Sequence, residues 1–175
     1  MNFSVYGPFD IPRDGALIDT AAKAKRDFWN DVDARVQGLP FACGVYIFVV
    51  RATRGALPWY VGLTTKRGFN DESLGLFQTN HYNHALGSKV GVRPQLYFLA
   101  KQTPTGRFAK PSKNSHGDIE FLETFMFGVA LNRNPQLRNS KNTKFLKNIV
   151  VPGVVNTPQR PPTLDERSLK AMLGL

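Results

Sequence analysis

The strongest constraint on the fold of this chain is a pair of apolar, β-rich runs set close together, residues 45–51 and 57–63, joined by Thr53-Arg54-Gly55. Short runs of Val, Ile, Tyr and Phe on either side of turn formers predict a β-hairpin. Gly44-Val45-Tyr46 opens the first run and Tyr60-Val61-Gly62 closes the second. The hairpin therefore places two tyrosines near each other on a small sheet.

The rest of the chain supplies helices and one further strand. Residues 1–15 carry Gly7-Pro8, Pro12 and Asp14-Gly15 and are expected to form an irregular or weakly stranded arm. Residues 18–37 read as a helix, with Asp19 or Thr20 as its N-cap and Gly38-Leu39-Pro40 as its stop. A loop over 64–76 leads into a short helix over 77–86. Residues 93–101 form the third expected strand, and 102–115 a polar loop suited to act as a flap. From Asp118 to about Leu131 runs a helix that is apolar on most sides (Phe121, Leu122, Phe125, Met126, Val129), and such a helix is expected to be buried against the sheet. A loop over 132–142 and a short helix or strand over 144–150 follow, and Thr163-Leu164-Asp165-Glu166 matches a capping box at the start of a C-terminal helix. The expected fold is α/β (α+β), a small three-stranded antiparallel sheet flanked by helices. Its core spans 41–150, with an N-terminal arm and helix over 1–40 and a tail over 151–175.

Charge narrows the function. The net charge is +10, yet between Ala34 and Leu164 the only carboxylates are Asp71, Glu72, Asp118, Glu120 and Glu123. Past Glu123 there is no acid before Asp165, while Arg133, Arg138, Lys141, Lys144, Lys147 and Arg160 accumulate. Such a field suits a polyanion, because neutralised phosphates release condensed counterions; a solvated basic surface is the plain alternative. No apolar run approaches the ~18 residues of a membrane span, and Met1 to Tyr6 lack the order of a signal peptide. The lone Cys43 reads as a small buried residue in a reducing compartment, so a cytoplasmic or nucleoid-associated location without a membrane partner is expected. Zinc-ligand spacing, a phosphate-cradling Gly-rich loop and a nucleophile elbow are all missing from the sequence.

The tyrosine-bearing triplets are followed by Ile119-Glu120-Phe121-Leu122-Glu123 on a helix and then by Asn134-Pro135-Gln136-Leu137-Arg138-Asn139. In that order, over roughly residues 41–145, the chain resembles the GIY-YIG nucleases. The resemblance implies a Mg²⁺- or Mn²⁺-dependent endonuclease acting on DNA, with RNA left open. It assigns water positioning or general-base work to Tyr46, a place on the same face to Tyr60, and the metal to Glu123, with Glu120 near enough in the helix to approach as well. An unperturbed phenol titrates near pH ~10, so a base role for Tyr46 calls for a neighbouring cation. The arginine that the family carries after the second triplet is absent here. Lys66, Arg67 and His81 are the candidates to replace it.

Arg138, Asn139, Lys141, Lys144 and Lys147 are expected to contact a nucleic-acid backbone, which fixes position rather than sequence. Little chain lies outside the core, so specificity would come from the 64–76 and 102–115 segments, from DNA structure, from a partner protein or from a homodimer. Two other readings stay open on sequence alone. One is a nucleic-acid-binding module that has lost cutting; the other is a basic scaffold protein with no nucleic acid. The structural alternatives are an ion pair of Glu123 with Lys66 or Arg67, and a loop-bracing role for Asn139.

Overall fold

The computed structural model describes residues 1–53, 55–87, 89, 91–114, 116–139, 148, 150–152 and 160–174. The expected hairpin forms β4 (Gly44–Ala52) and β5 (Gly55–Thr64), and the third expected strand is β6 (Arg93–Gln102). The sheet has four strands, however, in the order β1-β6-β4-β5 and antiparallel throughout. The fourth is β1 (Asn2–Asp10), where an arm was expected. It pairs with β6 from Asn2↔Gln102 to Asp10↔Gln95, with an irregularity between Tyr6 and Phe9 that absorbs Gly7-Pro8. Turn formers inside the strand thus interrupt its register without ending it. A two-stranded ribbon, β2 (Arg13–Asp14) and β3 (Leu17–Ile18), follows.

Helices cover both faces. On one face α1 (Ala22–Arg35), the short α2 (Phe69–Glu72) and α3 (Leu76–Leu86) pack Phe28, Val32, Phe69, Tyr82 and Leu86 onto Tyr46, Phe48, Leu96 and Phe98 of the sheet. On the other, α4 (Gly117–Arg133) packs Ile119, Phe127, Ala130 and Leu131 onto Cys43, Val45, Val61 and Leu99. The alternation of β4 explains the split: Tyr46, Phe48 and Val50 face one layer, Val45 and Ile47 the other. Cys43 is fully buried, as expected of it.

Two helix expectations need correcting. α1 starts at Ala22 with Ala21 at its N-cap and without a side-chain cap; Asp19 Oδ1 instead accepts from the Ala21 backbone N–H at 2.9 Å, before the helix. α4 is not buried all round. Phe121, Phe125 and Val129 are 74%, 58% and 51% exposed, a stripe at i, i+4, i+8 turned away from the sheet. Burial is confined to the opposite side, so apolar content overstated the contact area.

Within the expected 102–115 flap, hydrogen bonds tie residues 103–112 to the fold. Thr103 N–H donates to Arg107 O (2.8 Å), Ala109 N–H to Lys101 O (2.9 Å) and Ser112 N–H to Thr65 O (2.9 Å), while Phe108 packs edge-on against Tyr6. The C-terminal capping box forms as expected and starts α5 (Leu164–Met172): Thr163 Oγ1 accepts from Glu166 N–H (3.3 Å) and Glu166 Oε2 from Thr163 N–H (3.0 Å). Among the described residues no helix is long and apolar enough to cross a membrane.

Candidate functional site

The two triplets meet through their glycines. Tyr46 pairs with Gly62 across β4 and β5, and a Cβ at position 62 would fall 2.5 Å from the Tyr46 hydroxyl. The ring of Tyr46 lies in the space that Gly62 leaves. Gly44 has an equally local reason, because a Cβ there would meet Ala100 Cα at 3.1 Å and collide with the Leu99 carbonyl. Tyr46 and Tyr60, diagonal neighbours on the same face, have ring centroids 6.2 Å apart.

Tyr60 owes part of its setting to a bulge. Phe48 pairs with Tyr60 but Val49 with Pro58, so Trp59 is an extra residue in β5. In a regular strand Trp59 would face away from Tyr60. With the bulge, both pack against the same α1–α3 layer. On α3, His81 stacks on Tyr60 (5.4 Å) and meets Phe77 edge-on (4.6 Å).

At the outer edge of β5 the two helical layers converge on a cavity of about 330 Å³. Tyr46, Tyr60, Glu72, Gln78, Glu123 and Asn139 line it. Glu123 comes from α4, Glu72 from α2 and Gln78 from α3, whose Nε2 donates to Glu72 Oε1 at 2.8 Å. Of the residues expected at the site, the fold thus gathers Tyr46, Tyr60, Glu123 and Asn139, with His81 one ring further out. Lys66 and Arg67 are exposed and do not line the cavity, and neither does the exposed Glu120. Lys141, Lys144 and Lys147 lie outside the described residues.

Glu72 and Gln78 were not expected. Glu72 sits in a stretch read as loop, though its rarity, one of five acids between Ala34 and Leu164, was a usable signal. Gln78 gives no sequence signal at all.

Asn134–Asn139 is the strip that closes the β5 edge. Asn134 Nδ2 donates to Pro58 O (2.7 Å), Arg138 N–H to Trp59 O (2.9 Å), and Asn139 Oδ1 accepts from Val61 N–H (2.9 Å). Asn139 Nδ2 donates in turn to Val61 O. Both ends of the Asn139 amide are therefore committed to the strand edge.

Electrostatics set the protonation of the site's tyrosines and histidine. Burial pushes the Tyr46 phenol well above its ordinary range, and Tyr60 and Glu72 push it further. Burial first, then Glu123, raises Tyr60 to about 12. Among the described residues no Lys or Arg lines this cavity. Both tyrosines are neutral hydrogen-bond donors near pH 7. Burial, then Arg138 and His84, lowers the His81 pKa below the usual 6.5, so its imidazole is mainly neutral there and able to accept a proton.

The donor set can be tested against a divalent cation. Among the described residues no three His, Cys, Asp or Glu side chains gather as a cage. A Mg²⁺ site rarely needs one, since one or two carboxylates, waters and substrate phosphates complete the shell. Glu72 and Glu123 on one oxygen-rich cavity fit that pattern.

Comparison of the chain with protein-family models, with curated proteins and with solved structures returned no match.

Proposed function

We propose that the protein is a divalent-cation-dependent endonuclease that hydrolyses phosphodiester bonds in DNA at the Tyr46–Tyr60–Glu123 cavity. One observation carries the reading. Two carboxylates and two neutral phenols, drawn from β4, β5, α2 and α4, line a single cavity at the β5 side of the sheet of a strongly basic chain.

In this reading Glu123 and Glu72 would hold the cation, and Gln78 fixes the Glu72 carboxylate by its hydrogen bond. The cation, when bound, offsets the two carboxylates and lets an anionic phosphate approach. Tyr46 and Tyr60 donate hydrogen bonds to the attacking water and to the non-bridging phosphate oxygens. Their buried hydroxyls are preorganised, which is where such donors contribute most. As the water oxygen bonds to phosphorus, the P–O bond to the leaving oxygen breaks. Neutral His81, stacked behind Tyr60, takes up the proton that the water loses by way of solvent, and solvent protonates the leaving alkoxide. Arg138 holds the strand through a phosphate.

Nicking of supercoiled plasmid with Mg²⁺ or Mn²⁺ against EDTA tests the reading. Wild type nicks only with metal, Glu123→Ala does not nick, and Tyr46→Phe is slowed. A second reading, a binding module without cutting, draws on one specific feature: among the described residues no Lys or Arg lines the cavity. DNA bound equally by all three proteins with no nicking by any supports it.

A further inference from the structure

A second and larger cavity of about 720 Å³ opens beside the first, and Asn139 lines both. Its other walls include Trp59, His84, Lys89, Gln136 and Arg138. The two cavities differ sharply in charge. The first holds Glu72 and Glu123; among the described residues no carboxylate lines the second, and none of the described ion pairs uses Lys89 or Arg138. The second cavity therefore offers uncompensated cations and one large aromatic plane.

Trp59 reaches this wall because of the β5 bulge, which takes it out of the strand's alternation. Lys89 Nζ already sits 4.7 Å from the Trp59 ring centroid, so a charged group reaches that face from the surface. An aromatic plane flanked by cations matches one ligand chemistry closely: a flat base attached to a phosphate. A base held in a duplex cannot present its face to a side chain; it must first be unpaired and unstacked.

We infer that this cavity seats an unpaired nucleotide next to the scissile phosphate, its base stacked on Trp59 and its phosphate held by Arg138 and Lys89. The substrate class is then single-stranded or branched nucleic acid rather than continuous duplex. The inference rests on the reading of the chain as one that engages nucleic acid. On binding, the base takes the face of Trp59 that Lys89 covers, and the ammonium moves to the phosphate.

The test uses Trp29→Phe protein, in which Trp59 is the one remaining tryptophan. In EDTA, so that nothing is cut, it is titrated with a short oligo(dT) strand, a blunt, fully paired linear duplex of equal length and inorganic polyphosphate. Expected is saturable quenching of Trp59 fluorescence by oligo(dT) and little by the other two. By fluorescence anisotropy, Trp59→Ala weakens oligo(dT) binding roughly tenfold or more, Trp59→Phe restores most of it, and Arg138→Ala reduces its salt dependence. Quenching by the linear duplex or polyphosphate as strong as by oligo(dT), or wild-type affinity in Trp59→Ala, overturns the inference. Binding of this kind without metal-dependent cutting rejects the nuclease reading and leaves the inference standing. Cutting that Trp59→Ala leaves at the wild-type rate does the reverse.

Discussion

The hydroxyl of Tyr46 occupies the space that a side chain on Gly62, its cross-strand partner, would need. Gly62→Ala must therefore displace a buried ring in a close-packed layer. Overpacking of that kind costs about 1–3 kcal/mol. Urea denaturation is expected to show a loss in this range, and Tyr46→Ala, by removing the ring, to make the second substitution nearly neutral. Additive losses in the double variant would contradict the contact.

Asn139 closes the β5 edge with two hydrogen bonds to the Val61 backbone. Asn139→Ala leaves the Val61 N–H and carbonyl without these partners and is expected to cost about 1–3 kcal/mol. Asn139→Asp can still accept from Val61 N–H but can no longer donate to the carbonyl, so it should be destabilising too. Denaturation midpoints measure both, and an unchanged midpoint in Asn139→Ala would refute the bracing role.

Tyr60 ionises at about 12 in the folded protein against about 10 in an unfolded chain. The folded state thus holds this proton more tightly. The resulting stability is complete below pH ~10 and is lost as pH rises through 12. Alkaline titration by tyrosinate absorbance should show a late step that disappears in Tyr60→Phe. A Tyr60 step near pH ~10 would contradict the burial.

Lys101 Nζ lies 2.9 Å from Oδ1 and 2.8 Å from Oδ2 of Asp118, in a largely buried pair. Burial alone would raise the Asp118 pKa, but the Lys101 hydrogen bond and charge outweigh it and hold the carboxyl below its ordinary value. The unfolded chain then binds the extra proton in acid. The contribution of the pair is complete above pH ~4 and lost as pH falls through the folded value. Asp118→Asn should cost roughly 2 kcal/mol at neutral pH, with the difference from wild type narrowing in acid. A pH-independent difference would argue against the ion pair.

The hairpin, β6, the α3 and α4 spans and the Thr163 capping box were all legible in the sequence, because each rests on local patterns of alternation, helical period or cap. β1 was not. Its partners on β6 stand far away in sequence, it is half exposed, and Gly7-Pro8 interrupts its pattern. The exposed Phe121–Phe125–Val129 stripe was misread because hydrophobicity measures what a helix can bury, not what packs against it. Tyr46, Tyr60 and Glu123, the residues that the GIY-YIG resemblance singles out, line one cavity. Glu72, Gln78 and the placing of Trp59 depend on a loop helix and a bulge that no local pattern announces.

Single-turnover cleavage of end-labelled oligonucleotides with Mg²⁺, by wild type, Glu72→Gln and Glu123→Gln, tests the central claim most directly. If the cavity holds the cation between these carboxylates, wild type cuts, EDTA stops it, and each near-isosteric amide lowers the rate at least ~100-fold, about 2.7 kcal/mol of transition-state stabilisation. Cutting at the wild-type rate by both variants would place the chemistry elsewhere on the molecule.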